Sequence, residues 1–247
     1  MNYKEYGRQN RNVIILLHGG GLSYWNYREE AEALQNKFHI IIPILDGHPG
    51  SDSDFTTIED NAKEIISFID EKFNGSVLLI GGLSLGGQIL LEILSQRGSI
   101  CKYAIVESAL VNPSKFTYAM IKPAFGSCYG LIRHKWFSKL QFKSLKIKQE
   151  LFDDYYKDTC GITKEDMIAF LQANSLYSIK ESLGKCTAKV KIFVGERENA
   201  AMKKSAKIIN EKLKNSFLIV KRKMYHGEFS INHANDYVEE ILTLVRE

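Results

Sequence analysis

Short runs of apolar residues alternate along much of this chain with longer stretches in which apolar residues recur every three or four positions. The short runs predict buried β-strands, because they are rich in β-branched residues and too short for helices. They cover residues 12–17, 38–45, 77–80, 102–106, 190–194 and 217–220. The amphipathic stretches predict helices over residues 24–35, 58–73, 200–213 and 235–245, with another beginning at Gln88. This order indicates an α/β fold with a mostly parallel central sheet and helices on both faces.

The alternation stops over residues 112–187, which are helical in character and rich in aromatic side chains. Strand–helix order returns after this stretch, and no Pro/Ser-rich linker separates the parts. We therefore predict one core domain made of residues 1–111 and 188–247, with residues 112–187 inserted as a helical cap. Ligands of parallel sheets bind at the carboxyl ends of the strands, where such a cap would form the roof of a pocket.

Composition and charge narrow the function classes. The net charge of +4 is too small to indicate a nucleic-acid partner. No apolar run approaches the roughly twenty residues that span a bilayer, and the first residues lack the apolar core of a signal peptide. The four cysteines are far apart and form no C-x-x-C pair, which favours reduced thiols and a cytoplasmic location.

The strongest chemical signal lies where the third predicted strand meets a helix. Here the chain reads Gly82-Leu83-Ser84-Leu85-Gly86. A serine at the tip of a sharp strand-to-helix turn needs a φ that is positive or close to it, and small residues two positions before and after it. Strand, turn and helix occur together, so Ser84 is a candidate nucleophile.

A serine nucleophile requires a base whose pKa lies near neutrality, and histidine is that residue. His226 follows the last predicted strand and precedes the last helix, so we expect it at the same sheet edge as Ser84. The base needs a carboxylate to orient it. Glu198, in the loop after the strand 190–194, is our first choice, with Glu196 and Glu107 as the alternatives.

An oxyanion that develops during acyl transfer needs two hydrogen-bond donors. The N–H of Leu85, at the start of a helix, supplies one. The glycine run after His18 supplies the other, from Gly20 or from the neighbouring Gly21. We expect His18 to brace this loop and His48 to brace its own turn; the other histidines, His39, His134 and His233, read as surface or structural residues. No cluster has metal-ligand spacing, and the chemistry needs no metal and no cofactor.

The segments His18-Gly19-Gly20-Gly21, Gly82-x-Ser84-x-Gly86, Gly195-x-x-Glu198 and His226-Gly227 resemble the α/β-hydrolase fold superfamily. The loop 46–51 is similar to a variant of that family's Asp-x-x-Gly-His-Gly-x-Ser loop. The resemblance covers nearly the whole chain except the cap. It implies Ser84 as nucleophile, His226 as base, Glu198 as acid, and Gly20 with Leu85 as oxyanion hole.

Two features depart from the family's pattern: the acid is Glu where Asp is more frequent, and little chain precedes residue 12, which predicts truncated antiparallel first strands. A serine nucleophile argues against the epoxide-hydrolase and dehalogenase branches.

The expected activity is hydrolysis of a small-molecule carboxylic ester or related acyl substrate. The same triad serves thioesterases, acyl transferases and C–C bond hydrolases, and some proteins of this fold bind ligands without turnover. A C–C hydrolase of dienone acids would need a cationic group in the pocket for the substrate carboxylate.

Residues 131–149 contain six basic residues and no acidic ones. Ile132, Trp136 and Leu140 fall on one helical face between these charges. The pattern is typical of a solvated basic helix that packs on the core, and it also fits a weak contact with an anionic membrane surface or an acidic substrate.

Overall fold

The structure is a computed structural model that describes residues 1–246. Its strands, in chain order, are β1 Tyr3–Tyr6, β2 Val13–Leu17, β3 His39–Pro43, β4 Val77–Leu83, β5 Cys101–Glu107, β6 Lys189–Gly195 and β7 Ser216–Lys221. They form one sheet in the order β1-β3-β2-β4-β5-β6-β7. All neighbours pair in parallel except β1 with β3, so the predicted mostly parallel sheet is confirmed.

The helices of the core are α1 Arg28–Leu34, α2 Ile58–Phe73, α3 Leu85–Gln96, α8 Ala200–Lys212, α9 Glu228–Asn232 and α10 Ala234–Arg246. Between β5 and β6 lie α4 Lys115–Cys128, α5 Lys135–Leu145, α6 Phe152–Gly161 and α7 Lys164–Leu176. None of the helices within residues 1–246 combines the length and apolarity needed to cross a bilayer.

Both faces of the sheet are buried along β2 to β6, which explains why these strands are apolar runs. Successive residues of β2 point to opposite faces. Ile15 and Leu17 pack in one cluster with apolar residues of α2, α3 and α8. Ile14 and Leu16 pack in a second cluster with apolar residues of α1 and α10. The expected covering of the sheet by helices on both sides is confirmed.

Two local predictions need correction. β1 is an edge strand that the hydrophobic pattern does not predict, because its residues are mostly exposed. The sequence predicts that the antiparallel strands at the start of the fold are truncated. The chain before residue 12 supplies one such strand, β1, which pairs with β3. The helix predicted over residues 24–35 begins as a 3-10 turn, Tyr24–Tyr27, and becomes α-helical only at Arg28, because Tyr27 has non-helical angles (φ −119°, ψ 18°).

Side-chain hydrogen bonds attach α6 and α7 to the core. The amides of Gln88 in α3 and Asn174 in α7 are joined by a bond of 2.9 Å from Asn174 Nδ2 to Gln88 Oε1. The Trp25 indole donates to Asp158 of α6 at 2.8 Å. The Asp166 carboxylate accepts from the N–H of Phe55 at 2.8 Å. These bonds fix α6 and α7 against the core, while the assignment of residues 112–187 as a cap stays a prediction.

Candidate active site

Ser84 occupies the sharp turn between β4 and α3. Its backbone has φ 52° and ψ −111°, a conformation that non-glycine residues rarely adopt. Its N–H donates to the Glu107 carbonyl at 2.8 Å. A Cβ added at Gly82 would lie 2.4 Å from the carbonyl oxygen of Gly86. A Cβ added at Gly86 would lie 2.2 Å from the carbonyl oxygen of Leu17, so only glycine fits at either position. The local geometry predicted for this turn is therefore present.

His226 lies in the loop between β7 and α9. The next residue, Gly227, has a positive φ of 67°, and a Cβ there would lie 3.2 Å from the side chain of Leu83. Since Leu83 precedes Ser84, this packing brings the histidine loop beside the turn at Ser84. Ser84 and His226 line the same cavity.

Glu198 holds the other side of the histidine ring. Its Oε2 lies 2.8 Å from Nδ1 of His226. Its Oε1 accepts from the N–H of Gly195 at 2.7 Å and from the hydroxyl of Ser108 at 2.7 Å. The Glu198 side chain is 2% exposed, whereas that of His226 is 43% exposed. A fixed, buried carboxylate thus contacts a ring that is open to the cavity.

These contacts set the charge of Glu198. Burial alone would raise the pKa of this carboxyl. The hydrogen bond and charge of His226 oppose burial, as do the two further donors, and together they lower the pKa of Glu198 below its ordinary value. The carboxylate is therefore ionised at neutral pH, as is required of a group that stabilises an imidazolium.

The two alternative carboxylates have other partners. Glu196 is exposed, and its Oε2 accepts from the N–H of Lys223 at 2.7 Å. Glu107 is fully buried, and its Oε1 accepts from the N–H of Ser230 at 3.3 Å. Burial raises the pKa of Glu107 to about 7. Among the three candidates, Glu198 is the one in hydrogen-bond contact with His226.

The residues that carry the two predicted oxyanion donors lie close together. A Cβ added at Gly20 would lie 3.4 Å from Leu85 Cδ2, so the glycine loop approaches the start of α3. The N–H of Gly21 donates to Nε2 of His48 at 3.0 Å, whereas that of Gly20 has no hydrogen-bond partner within residues 1–246. Leu85 is the first residue of α3, where N–H groups lack partners inside the helix. This arrangement favours Gly20 over Gly21.

Two buried histidines brace this loop. Nδ1 of His18 lies 2.9 Å from Gly19 O, and its Nε2 accepts from the N–H of Leu45 at 3.2 Å. Nδ1 of His48 lies 3.0 Å from Asp46 O. Burial lowers the pKa of His18 to about 3 and that of His48 to about 4, so both rings are neutral at pH 7. His48 supports the glycine loop as well as its own turn, which extends the role predicted for it.

A cavity opens above Ser84 between the sheet and the helices α4 to α7. Its volume, including the part open to solvent, is about 910 Å³. The lining from residues 112–187 is mainly apolar, and its apolar members are Phe125, Ile132, Leu145, Ile147, Met167, Phe170 and Leu171. Its three polar members are Gln141, Tyr155 and Thr159. Within the described chain, no Lys, Arg, Asp or Glu lines it, and no group of three His, Cys, Asp or Glu side chains is arranged to hold a metal.

Sequence reasoning missed Ser108 and the residues that line the cavity. Ser108 follows β5 directly, so its position at the carboxyl end of a strand was a usable signal. It has a positive φ of 52°, and its N–H donates to Phe193 O at 3.0 Å. No periodic pattern marks the lining residues, because they come from the four helices α4 to α7 and from several loops.

Comparisons with known proteins identify the family and the fold. A sequence model described as the alpha/beta hydrolase family matches residues 14–178. A search of curated proteins finds no match. Three similar solved structures are a thermophilic esterase from Thermogutta terrifontis, the enol-lactonase from Burkholderia xenovorans LB400 and a bromoperoxidase from Bacillus anthracis.

The three structures are respectively 15%, 13% and 15% identical to this chain, with TM-scores of 0.80, 0.82 and 0.83. The matches cover 99%, 100% and 99% of this chain, and 92%, 96% and 95% of theirs. At these identities they show that the fold is shared.

Proposed function

This chain belongs to the alpha/beta hydrolase family, and from that membership we propose that it is a serine hydrolase of carboxylic esters or related acyl substrates. The observation that carries the proposal is the contact of 2.8 Å between Nδ1 of His226 and Oε2 of Glu198, beside the strained turn at Ser84. This contact fixes the proton on Nδ1 and leaves Nε2 free to accept one.

In the proposed mechanism, Oγ of Ser84 attacks the substrate carbonyl carbon while Nε2 of His226 accepts the hydroxyl proton. The N–H groups of Gly20 and Leu85 stabilise the negative charge on the carbonyl oxygen. The bond to the leaving oxygen then breaks, and His226 protonates that oxygen. Water repeats the sequence on the acyl-enzyme, which releases the acid and restores the hydroxyl of Ser84.

The cavity supports an uncharged, mostly apolar acyl group as the substrate. Its lining within residues 1–246 carries no cationic side chain. A C–C hydrolase that acts on a dienone acid would need such a cation to pair with the substrate carboxylate. Burying a carboxylate without a partner is costly, so the cavity disfavours that alternative. Residues 112–187 act in this proposal as the cap that excludes water from the reacting groups.

The proposed location is the cytoplasm. Cys101, Cys128, Cys160 and Cys186 are all free thiols in the structure. Unpaired cysteines are typical of proteins kept in a reducing compartment, which supports this location.

The proposal is tested by hydrolysis of p-nitrophenyl esters with acyl chains from short to long. We expect turnover by the wild-type protein and loss of turnover in Ser84→Ala. Ser95→Ala is the matched control, because Ser95 lies in α3, the helix that begins just after Ser84, and its hydroxyl donates to Leu91 O at 2.7 Å. Equal background rates in wild type and Ser84→Ala would contradict the proposed ester hydrolysis and leave ligand binding without turnover, or a narrow C–C bond hydrolase, as the alternatives.

A further inference from the structure

The positive charge of this chain is concentrated in one segment. Residues 108–149 contain eight Lys or Arg and no Asp or Glu. The whole chain has 33 basic and 29 acidic residues, so the remainder holds 25 basic against 29 acidic and is net negative. Of the eight basic residues, only Lys148 pairs with a carboxylate, that of Glu29, within the described residues. The segment is therefore a basic surface on a molecule that is otherwise slightly acidic.

The same segment holds most of the large apolar side chains that are exposed. Those within it are Phe116, Tyr118, Met120, Trp136, Leu140 and Leu145, against four elsewhere in residues 1–246. Two of them, Trp136 and Leu140, are 65% and 62% exposed and stand one turn apart on α5. Exposed aromatic and aliphatic side chains that cluster in this way mark an interaction surface.

Helix α5 combines both properties on its outer face. Ser138 and Phe142 are buried and point to the protein. Lys135, Lys139 and Lys143 are exposed, and Lys139 and Lys143 lie three positions after Trp136 and Leu140 respectively, a helical spacing that sets these two charges beside the apolar pair. A helix with lysines around an exposed Trp and Leu has the composition of one that lies in a lipid–water interface.

We propose that α5 and the basic segment around it dock on an anionic lipid surface. Such a surface offers negative headgroups to the lysines and an apolar layer to Trp136 and Leu140, so it satisfies both features at once. A second copy of this chain would bring one positive face against another. An acidic protein would satisfy the lysines but would need a separate apolar surface for the Trp–Leu pair.

The same helix also forms a wall of the cavity above Ser84. Gln141 and Leu145 of α5 line that cavity, as does Ile147 just beyond the helix. Docking through α5 would therefore bring the cavity wall to the lipid surface. Lipid-borne esters are then the substrate class that fits, and this last step rests on the proposed hydrolase activity, whereas the binding itself does not.

Binding is measured with full-length protein and vesicles of ether-linked phosphatidylcholine, with and without ether-linked phosphatidylglycerol. These lipids have no acyl ester, so the measurement is independent of hydrolysis. We expect co-sedimentation with the acidic vesicles at low salt, weakened as ionic strength rises, and little with the neutral ones. Of the two tryptophans, Trp25 is 3% exposed, so a blue shift of fluorescence on binding would report Trp136, and Trp136→Phe would remove it.

Paired variants test the surface. Lys139→Gln with Lys143→Gln should weaken binding to acidic vesicles by about tenfold or more. Lys204→Gln with Lys207→Gln, on exposed positions of α8, is the matched control and should leave binding unchanged. For the apolar pair, the double variant Trp136→Ala with Leu140→Ala should reduce binding. The matched control is Phe217→Ala with Val220→Ala, which removes two exposed apolar side chains from β7 and should leave binding unchanged.

The proposal is overturned if acidic vesicles are not bound, if the α5 variants bind as well as their controls, or if the protein self-associates through this face instead. Normal vesicle binding by a protein that hydrolyses no ester would refute the proposed activity and leave this inference standing. Ester hydrolysis without vesicle binding would refute this inference and leave the proposed activity standing.

Discussion

Nδ1 of His226 lies 2.8 Å from Oε2 of Glu198, while Oε1 of the same carboxylate is held by Ser108 and Gly195. The carboxylate therefore has one orientation, and the histidine ring is aligned by a group that cannot turn away. This arrangement distinguishes Glu198 from the other carboxylates that the sequence leaves open, and it yields a direct test.

Glu198→Gln should lower kcat for ester hydrolysis by about 10²- to 10⁴-fold, because an amide does not stabilise the imidazolium and can favour the wrong tautomer. Steady-state kinetics with a p-nitrophenyl ester measure the effect. Glu196→Gln is the control and should stay close to wild type, since Glu196 is exposed and its carboxylate accepts from the N–H of Lys223 rather than contacting His226. Loss of activity in Glu196→Gln and not in Glu198→Gln would assign the acid to Glu196.

Glu107 should affect stability rather than catalysis, through its pKa. Burial raises that pKa from 4.5 to about 7. Between these values the unfolded chain releases the proton while the folded protein keeps it. Glu107 therefore reduces stability progressively as pH rises from the lower value to the higher one. Glu107→Gln removes this penalty.

We expect the gain in unfolding free energy from Glu107→Gln to be larger at about pH 8 than at about pH 4, by on the order of 3 kcal/mol. Urea denaturation of both proteins at each pH measures the difference. A gain that does not change with pH would mean that Glu107 does not titrate in this range. Loss of ester hydrolysis in this variant would instead support Glu107 as the triad acid.

The turn at Ser84 should tolerate no side chain at its two flanking glycines. Gly82→Ala or Gly86→Ala would place a Cβ within 2.4 Å of backbone atoms, so we expect a loss of about 3 kcal/mol or more of stability. Gly126→Ala is the control, because a Cβ at this position in α4 meets nothing within 4 Å and alanine favours a helix. Thermal denaturation measures all three, and equal melting temperatures would contradict the account.

Ser84 itself should lower stability. Replacing it with glycine, which accepts φ 52° and ψ −111° without strain, should raise the unfolding free energy by about 1–2 kcal/mol while abolishing hydrolysis. Asn74→Gly is a fitting control, since Asn74 has φ 53° and ψ 36°, a left-handed conformation that asparagine adopts readily. A Ser84→Gly protein no more stable than wild type would show that the turn stores no strain.

Much of the fold follows from the sequence because the inner strands, β2 to β6, are buried on both faces. Continuous apolar runs such as Val13–Leu17 have no other good location in a protein of this size. The hydrophobic pattern does not predict β1, because an exposed edge strand contains no continuous apolar run. The predicted start of the first helix is wrong because the backbone angles of Tyr27 lie outside the helical region, although the apolar spacing continues across this residue.

For the candidate site, the sequence indicates the residue types and their sheet edge, since Ser84, Glu198 and His226 each follow a strand. It left three carboxylates open, because the direction of a loop side chain depends on donors such as Ser108 that are distant in the chain. The lining of the cavity could not be predicted, since it depends on how the four helices α4 to α7 pack. The catalytic roles of Ser84, His226 and Glu198 stay predictions.

The most direct test of those roles is covalent labelling with a fluorophosphonate, which reacts with an activated serine, followed by mass spectrometry of the intact protein and its peptides. We predict one adduct for each wild-type chain, located on Ser84, with labelling strongly slowed in His226→Ala and in Glu198→Gln. No adduct on the wild-type protein, or an adduct that persists in Ser84→Ala, would contradict the assignment of Ser84 as a nucleophile activated by His226 and Glu198.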